Sequence, residues 1–183
     1  MLQPLRGKIL VEILPDSQRT ESGLYLAGIK EEIPHRGRVV SLGAPYRDRK
    51  QREFPWGFQV GHIVHFKRVW DQNKVKHYIL KREQIFAIEY EDKAYAFGEH
   101  VIVKKLNEVG GSLVFVPAHF ESEVAKETGL AEVLSVGRDD KLGLKVGERI
   151  LCYKNEGLKV SIPLQSELWS LKARAILACV QPQ

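Results

Sequence analysis

Gly37-Arg38-Val39-Val40-Ser41-Leu42-Gly43 is a short apolar run bounded by glycines, and Ala131-Glu132-Val133-Leu134-Ser135-Val136-Gly137 answers it 94 residues on. Upstream, Pro4-Leu5-Arg6-Gly7-Lys8-Ile9-Leu10-Val11-Glu12 is answered by Ala96-Phe97-Gly98-Glu99-His100-Val101-Ile102-Val103-Lys104 at an offset of 92. Downstream, Val60-Gly61-His62-Ile63-Val64-His65-Phe66 is answered by Val146-Gly147-Glu148-Arg149-Ile150-Leu151-Cys152 at 86. Ile85-Phe86-Ala87-Ile88 is answered by Ile176-Leu177-Ala178-Cys179 at 91. Four blocks in one order, separated by small insertions and deletions, indicate a duplication, and internal repetition decides the fold before any single element does.

Each block reads as a strand. Ile, Leu, Val and Phe cluster in runs of four to seven between Gly, Pro, Asp and Asn, the pattern of short strands bounded by turns. Val39 and Ser41 do not alternate cleanly with Val40 and Leu42, which suggests strands buried on both faces. The best helical candidate, Ala118–Thr128, is short and stops before Gly129. The expected fold class is therefore all-β: two tandem small β-barrels or sandwiches. The expected boundaries are 1–90 and 94–183, with Glu91-Asp92-Lys93 as a short polar linker that keeps the two side by side.

Composition excludes several classes. Hydrophobic residues make up 44% and charged residues 28%, as in globular proteins, and no apolar run approaches the roughly 20 residues of a membrane helix. The opening MLQPLRGKILVEIL has neither signal-peptide regions nor an amphipathic transit pattern. Cys152 and Cys179 make no C-x-x-C and no disulfide framework, so both are expected as buried thiols in a reducing, cytoplasmic setting. The formal charge is +5, carried mainly by residues 1–92, which hold 16 Lys and Arg against 12 Asp and Glu. Part of the excess lies in Tyr46-Arg47-Asp48-Arg49-Lys50-Gln51-Arg52. Such a run can meet phosphates but reads first as a solvated loop tip.

The blocks of the first copy resemble the GroES co-chaperonin family. Pro4-Leu5 followed by Ile9-Leu10-Val11-Glu12 is similar to the family's opening, and Ser22-Gly23-Leu24-Tyr25-Leu26 to its mobile loop. Arg36-Gly37-Arg38-Val39-Val40-Ser41-Leu42-Gly43, Val60-Gly61-His62-Ile63-Val64-His65-Phe66 and Ile85-Phe86-Ala87-Ile88 follow in the family's order. The resemblance recurs in the second copy, an arrangement similar to the double-domain co-chaperonins of chloroplasts. It implies two GroES-like domains, with mobile loops at about 15–35 and 107–130 and a roof insert at about 44–59. The chaperonin-binding residues it implies are Leu24, Tyr25 and Leu26 in the first copy and Val114, Phe115 and Val116 in the second. The implied partner is a GroEL-type chaperonin that itself binds ATP, capped by a homo-oligomeric ring. No catalytic residue, metal or cofactor belongs to this chain on that reading. A two-domain chain supplies an even number of domains, which sits awkwardly on the seven-membered ring of the family's usual partner.

The departures are specific. The family's Asp after Val-Gly is His62 in one copy and Glu148 in the other, and the second copy lacks Pro-Leu at its start. The roof hairpin shrinks to Arg138-Asp139-Asp140-Lys141-Leu142-Gly143 in the second copy, while the first carries the longer Ala44–Gln59.

Other readings stay open. As strand neighbours three apart, His62 and His65 face opposite sides and share a metal poorly. H-E-x-x-H, G-x-S-x-G, G-x-G-x-x-G and G-x-x-x-x-G-K-[ST] are all absent, which argues against an enzyme. Arg68-Val69-Trp70 with Lys74, Lys76, His77 and Tyr78 is a candidate single-strand nucleic-acid surface, set against an ordinary hairpin turning at Asp71-Gln72-Asn73. Nucleic acid and membrane are not the expected partners. A duplicated barrel whose edges pair into a structural assembly is the remaining alternative.

Overall fold

The computed structural model describes residues 3–14, 33–68, 76–106, 128–160, 162 and 167–180. The chain forms two compact units, Met1–Ala94 and Tyr95–Gln183. The first is built on β1 (Lys8–Ile13), β2 (Ile33–Leu42), a small hairpin of β3 (Tyr46–Arg47) and β4 (Glu53–Phe54), β5 (Ile63–Arg68), β6 (His77–Lys81) and β7 (Ile85–Tyr90), and β8 (Lys93–Ala96) begins in it and ends past its boundary. Its main sheet has the order β6-β1-β2-β5-β7-β8. The second comprises β9 (His100–Lys105), β10 (Thr128–Val136), β11 (Arg149–Tyr153), β12 (Leu158–Val160), β13 (Leu168–Lys172) and β14 (Ile176–Val180), in the sheet order β12-β13-β9-β10-β11-β14. Among the described residues the only helical turns are two 3-10 turns, Arg82–Gln84 and Ala173–Ala175.

The two sheets repeat one another pair by pair. Ile9 faces Leu42 and Leu10 faces Ser41 in the first; Val101 faces Val136 and Ile102 faces Ser135 in the second. Val64 faces Ile88 and Ile150 faces Cys179. Every such pair obeys the block offsets read from the sequence. β6 and β13, which no block predicted, add Leu80 against Ile9 and Leu171 against Val101. The imperfect alternation at Val39–Leu42 has a local cause: the register slips between Leu10 and Val11, leaving Val40 as the extra residue of a β-bulge. Leu134 is the extra residue in the second unit. Burial on both faces does occur, but elsewhere: Ile9, Leu10 and Val11 are all buried, as are Val64, His65 and Phe66, and Ile85, Phe86 and Ala87.

Glycine fixes the close approaches. A Cβ on Gly43 would lie 2.0 Å from the Leu5 carbonyl oxygen, and one on Gly137 would lie 2.3 Å from that of Gly98. Both glycines donate their N–H to a neighbouring strand, Gly43 to Lys8 and Gly137 to His100, each at 2.9 Å.

Core volume is balanced differently in the two units. In the first, Gly37 leaves room for Phe66, whose Cε1 would be 3.0 Å from an added Cβ. At the matching places the second unit has Ala131 and Cys152, both buried. A smaller residue on one strand offsets a larger one on the next, as dense interiors require.

Three expectations change in detail. Glu91 and Asp92 both take positive φ, 49° and 57°, so the anticipated linker is a tight turn between β7 and β8 of the kind hairpins favour, and Lys93 already belongs to a strand. Of the helical candidate, Thr128 opens β10 and residues 118–127 lie outside the described residues. Cys152 is buried as expected, but Cys179 is exposed because it lies on β14, the strand at one edge of its sheet.

Candidate functional site

The six residues implied as chaperonin contacts, Leu24, Tyr25, Leu26, Val114, Phe115 and Val116, lie outside the described residues. So do residues 69–75 of the candidate nucleic-acid surface. The structure instead defines where the segments 15–32 and 107–127 are rooted. Each leaves one strand and rejoins its direct neighbour: β1 to β2 in the first unit, β9 to β10 in the second. The last bond of each pairing is the same, Leu14 N–H to the Arg36 carbonyl at 3.0 Å and Leu106 N–H to the Leu130 carbonyl at 2.9 Å. Beyond it β2 runs on as an arm, Ile33 to Arg36, registered against Arg68 to His65 of β5.

The arm of the first unit is clasped by a buried polar cluster. Arg36 Nε donates to Glu89 Oε2 at 3.0 Å, and its Nη2 donates to Oε1 and Oε2 at 2.7 and 2.8 Å. This is the forked geometry that makes arginine–carboxylate pairs strong. On the strand between them, His65 donates from Nε2 to the same Oε2 at 3.2 Å. The side chains of Arg36, His65 and Glu89 are only 11%, 2% and 6% exposed. Burial holds the His65 imidazole below its ordinary value, against the opposing pull of Glu89. Burial would raise the Glu89 carboxyl, but hydrogen bonds from His65 and Arg36 outweigh it and keep it low.

At the matching register positions the second unit carries Leu130, Leu151 and Val180. Its root uses another device. Lys105 of β9 donates to the Lys154 carbonyl at 2.6 Å, and its ammonium lies 3.5 Å from the centre of the Trp169 ring, within cation–π range. Burial lowers its pKa. Gly129 leaves room for the Lys154 side chain, whose Cγ would lie 3.1 Å from an added Cβ.

The insert of the first unit also acquires a defined form. Trp56 is buried and donates from Nε1 to the Gly43 carbonyl at 2.8 Å, with Phe58 beside it. In the basic run, Arg47 pairs with Glu53 and Arg52 with Asp48. Arg52 and Arg82 flank the Phe54 ring at about 6 Å. Sequence reasoning missed the Arg36–His65–Glu89 cluster because its members come from three separate blocks and meet only through strand pairing. Lys105 with Trp169 escaped for the same reason.

No helix among the described residues is long and apolar enough to cross a membrane. The family model described as the chaperonin 10 Kd subunit matches residues 1–92. Curated relatives with the same character include the co-chaperonin GroES of Pelagibacter ubique, 26% identical over 91 residues, covering 47% of this chain and 94% of that protein. That of Lawsonia intracellularis is 28% identical over 91 residues, 48% of this chain and 90% of its own length. That of Bifidobacterium longum is 34% identical over 67 residues, 37% of this chain and 69% of its own.

Proposed function

The chain belongs to the chaperonin 10 Kd subunit family, and from that premise we propose that it is a tandem co-chaperonin, two GroES-like small β-barrels in one polypeptide, that caps a GroEL-type chaperonin ring. The observation that carries the tandem form is the second unit's strand pairing, which repeats that of the first, bulge for bulge, beyond the reach of the family match. The docking elements are Leu24, Tyr25 and Leu26, with Val114, Phe115 and Val116 as the second set. Each segment joins two directly paired strands.

The energetics favour weak single contacts. Burying a large apolar side chain contributes roughly 1.5–3 kcal/mol, and ordering a polar segment around three of them costs about 2–5 kcal/mol. One segment therefore binds loosely, and several on one ring bind jointly, because each docked segment raises the effective concentration of the next. Release can then follow the ATP cycle of the partner. No step of chemistry falls to this chain.

Ring assembly has support in β14. No strand covers its outer edge among the described residues, whereas β7, its counterpart, is flanked by β8. Leu177 is 43% exposed, and Ile176–Val180 contains no charge. An apolar, uncharged edge favours pairing with another strand, here one from a second copy.

The test is co-sedimentation with a GroEL-type chaperonin, with and without adenine nucleotide, comparing wild type with a Leu24→Ser, Leu26→Ser double variant. Nucleotide-dependent binding that the variant loses supports the reading. Failure of wild type to bind several chaperonins under every nucleotide condition defeats it and favours a structural assembly.

A further inference from the structure

We infer that Arg36, Glu89 and His65 form a proton-sensitive positioning lock on the β2 arm, present in the first unit alone. The inference rests on the co-chaperonin reading only where it concerns partner binding; the lock itself concerns described residues of the free chain.

The argument begins with the arm. Past Gly37, which pairs with Ile13, residues Ile33 to Arg36 are registered against β5. On its β1 side, backbone pairing along this stretch ends with the Leu14–Arg36 bond, yet the stretch sets the direction in which the chain enters the sheet. The Arg36 fork reaches over β5 to Glu89 on β7, with His65 beneath it on β5. Three adjacent strands are thus tied on one carboxylate. The charged groups that act on His65 are Glu89 from β7 and Arg36 from β2; the Phe86 ring lies 6.1 Å from the imidazole.

This geometry responds to protons in one sense. With a neutral imidazole, a single buried anion meets a single buried cation. A proton on His65 places two cations on one carboxylate, out of water, and a proton on Glu89 leaves Arg36 without its counter-charge. Either event loosens the clasp, because a buried charge without compensation is strongly unfavourable. The second unit has Leu130, Leu151 and Val180 at the same register, so nothing there titrates. Acid should therefore release the entry to the first sheet and leave the second closed.

The experiment is hydrogen exchange with mass spectrometry on the full chain from neutral to mildly acidic pH, corrected for intrinsic exchange. Peptides covering residues 33–38 and 128–132 are compared. Three forms are used: wild type, Glu89→Gln, and a transplant that carries Arg36→Leu, His65→Leu and Glu89→Val. The transplant installs the residues that the second unit already accommodates, which guards against simple misfolding. Opening of 33–38 should rise on acidification in wild type while 128–132 stays level. Glu89→Gln should open 33–38 roughly a hundredfold at neutral pH, and the transplant should show no acid response. Equal acid response in both peptides, or one that survives in the transplant, overturns the lock.

Nucleotide-dependent chaperonin affinity is measured in parallel. The ratio of wild-type to transplant affinity should fall as pH falls, which cancels any titration of the chaperonin. A flat ratio alongside acid-dependent exchange overturns the positioning role. Absence of binding by every form defeats the co-chaperonin reading instead, while exchange still decides the lock.

Discussion

Substituting alanine for Gly43 is the sharpest test of the close strand approaches. The new methyl would sit 2.0 Å from the Leu5 carbonyl oxygen and 2.8 Å from that of Lys8. Both obstacles are backbone, so no side chain can swing aside. Relief requires the β2 end to move away from the residues before β1. That movement breaks Gly43 N–H to Lys8, at 2.9 Å, and Gly7 N–H to Ala44, at 2.8 Å. Overpacking typically costs about 1–3 kcal/mol and each lost hydrogen bond about 1 kcal/mol, for a total of roughly 3–5 kcal/mol. A domain of this size holds about 5–15 kcal/mol in all, so the first unit would be left marginal or unfolded.

Gly61→Ala is the control. Its φ is +93°, and nothing lies within 4 Å of the position its Cβ would take. Only backbone strain remains, about 1–2 kcal/mol. The assay is urea unfolding with linear extrapolation, followed by tryptophan emission, because Trp56 is buried and bonded to the Gly43 carbonyl. Gly137→Ala, with its Cβ 2.3 and 2.7 Å from backbone oxygens, should damage the second unit comparably. If Gly43→Ala costs no more than Gly61→Ala, the steric reasoning is wrong.

Gly37→Ala should destabilise the first unit by about 1–3 kcal/mol, and Phe66→Leu in the same chain should recover part of it, read by the same unfolding curves. Glu89→Val alone should cost about 3–5 kcal/mol, whereas the triple transplant should be neutral or stabilising. His65 protonates less readily folded than unfolded, so its contribution is complete above its ordinary 6.5 and fades as pH falls below it; Glu89, held below 4.5, adds a loss at still lower pH. Thermal melts from pH 7 to 4 should follow that order. Iodoacetamide should modify exposed Cys179 quickly and Cys152 slowly, since burial raises the Cys152 thiol and shields it; peptide mapping reads both. Leu177→Lys, which charges the β14 edge, should reduce self-association in sedimentation velocity without changing the fold.

Strand identity was legible because Ile9–Val11, Val39–Leu42, Val64–Phe66 and Ile85–Ile88 are compact apolar runs, and duplication made each visible twice. The register was not legible, because the offsets relate one copy to the other and only pairing within each sheet fixes which residue faces which. The bulge at Val40 was legible only as broken alternation, which two-sided burial mimics. β6 and β13 were hidden because His77–Lys81 and Leu168–Lys172 share only a Leu-Lys pair, Leu80-Lys81 and Leu171-Lys172. Arg36, His65 and Glu89 were each visible as a charged or titratable residue in or beside an apolar block, but nothing local announces that they converge. Cys179 was misjudged because free cysteine is usually buried, and no local pattern marks an edge strand.

The polar clasp in one unit and its leucine and valine replacements in the other have a practical consequence. Both halves share one concentration, one temperature, one ionic strength and one handling history. The β1–β2 and β9–β10 pairings match bulge for bulge, so a difference in how those two entries open arises from side chains and from flanking strands such as β8 and β12, not from that pairing. Few experiments on buried charge come with a matched reference; this polypeptide carries its own, about 92 residues away along the same chain.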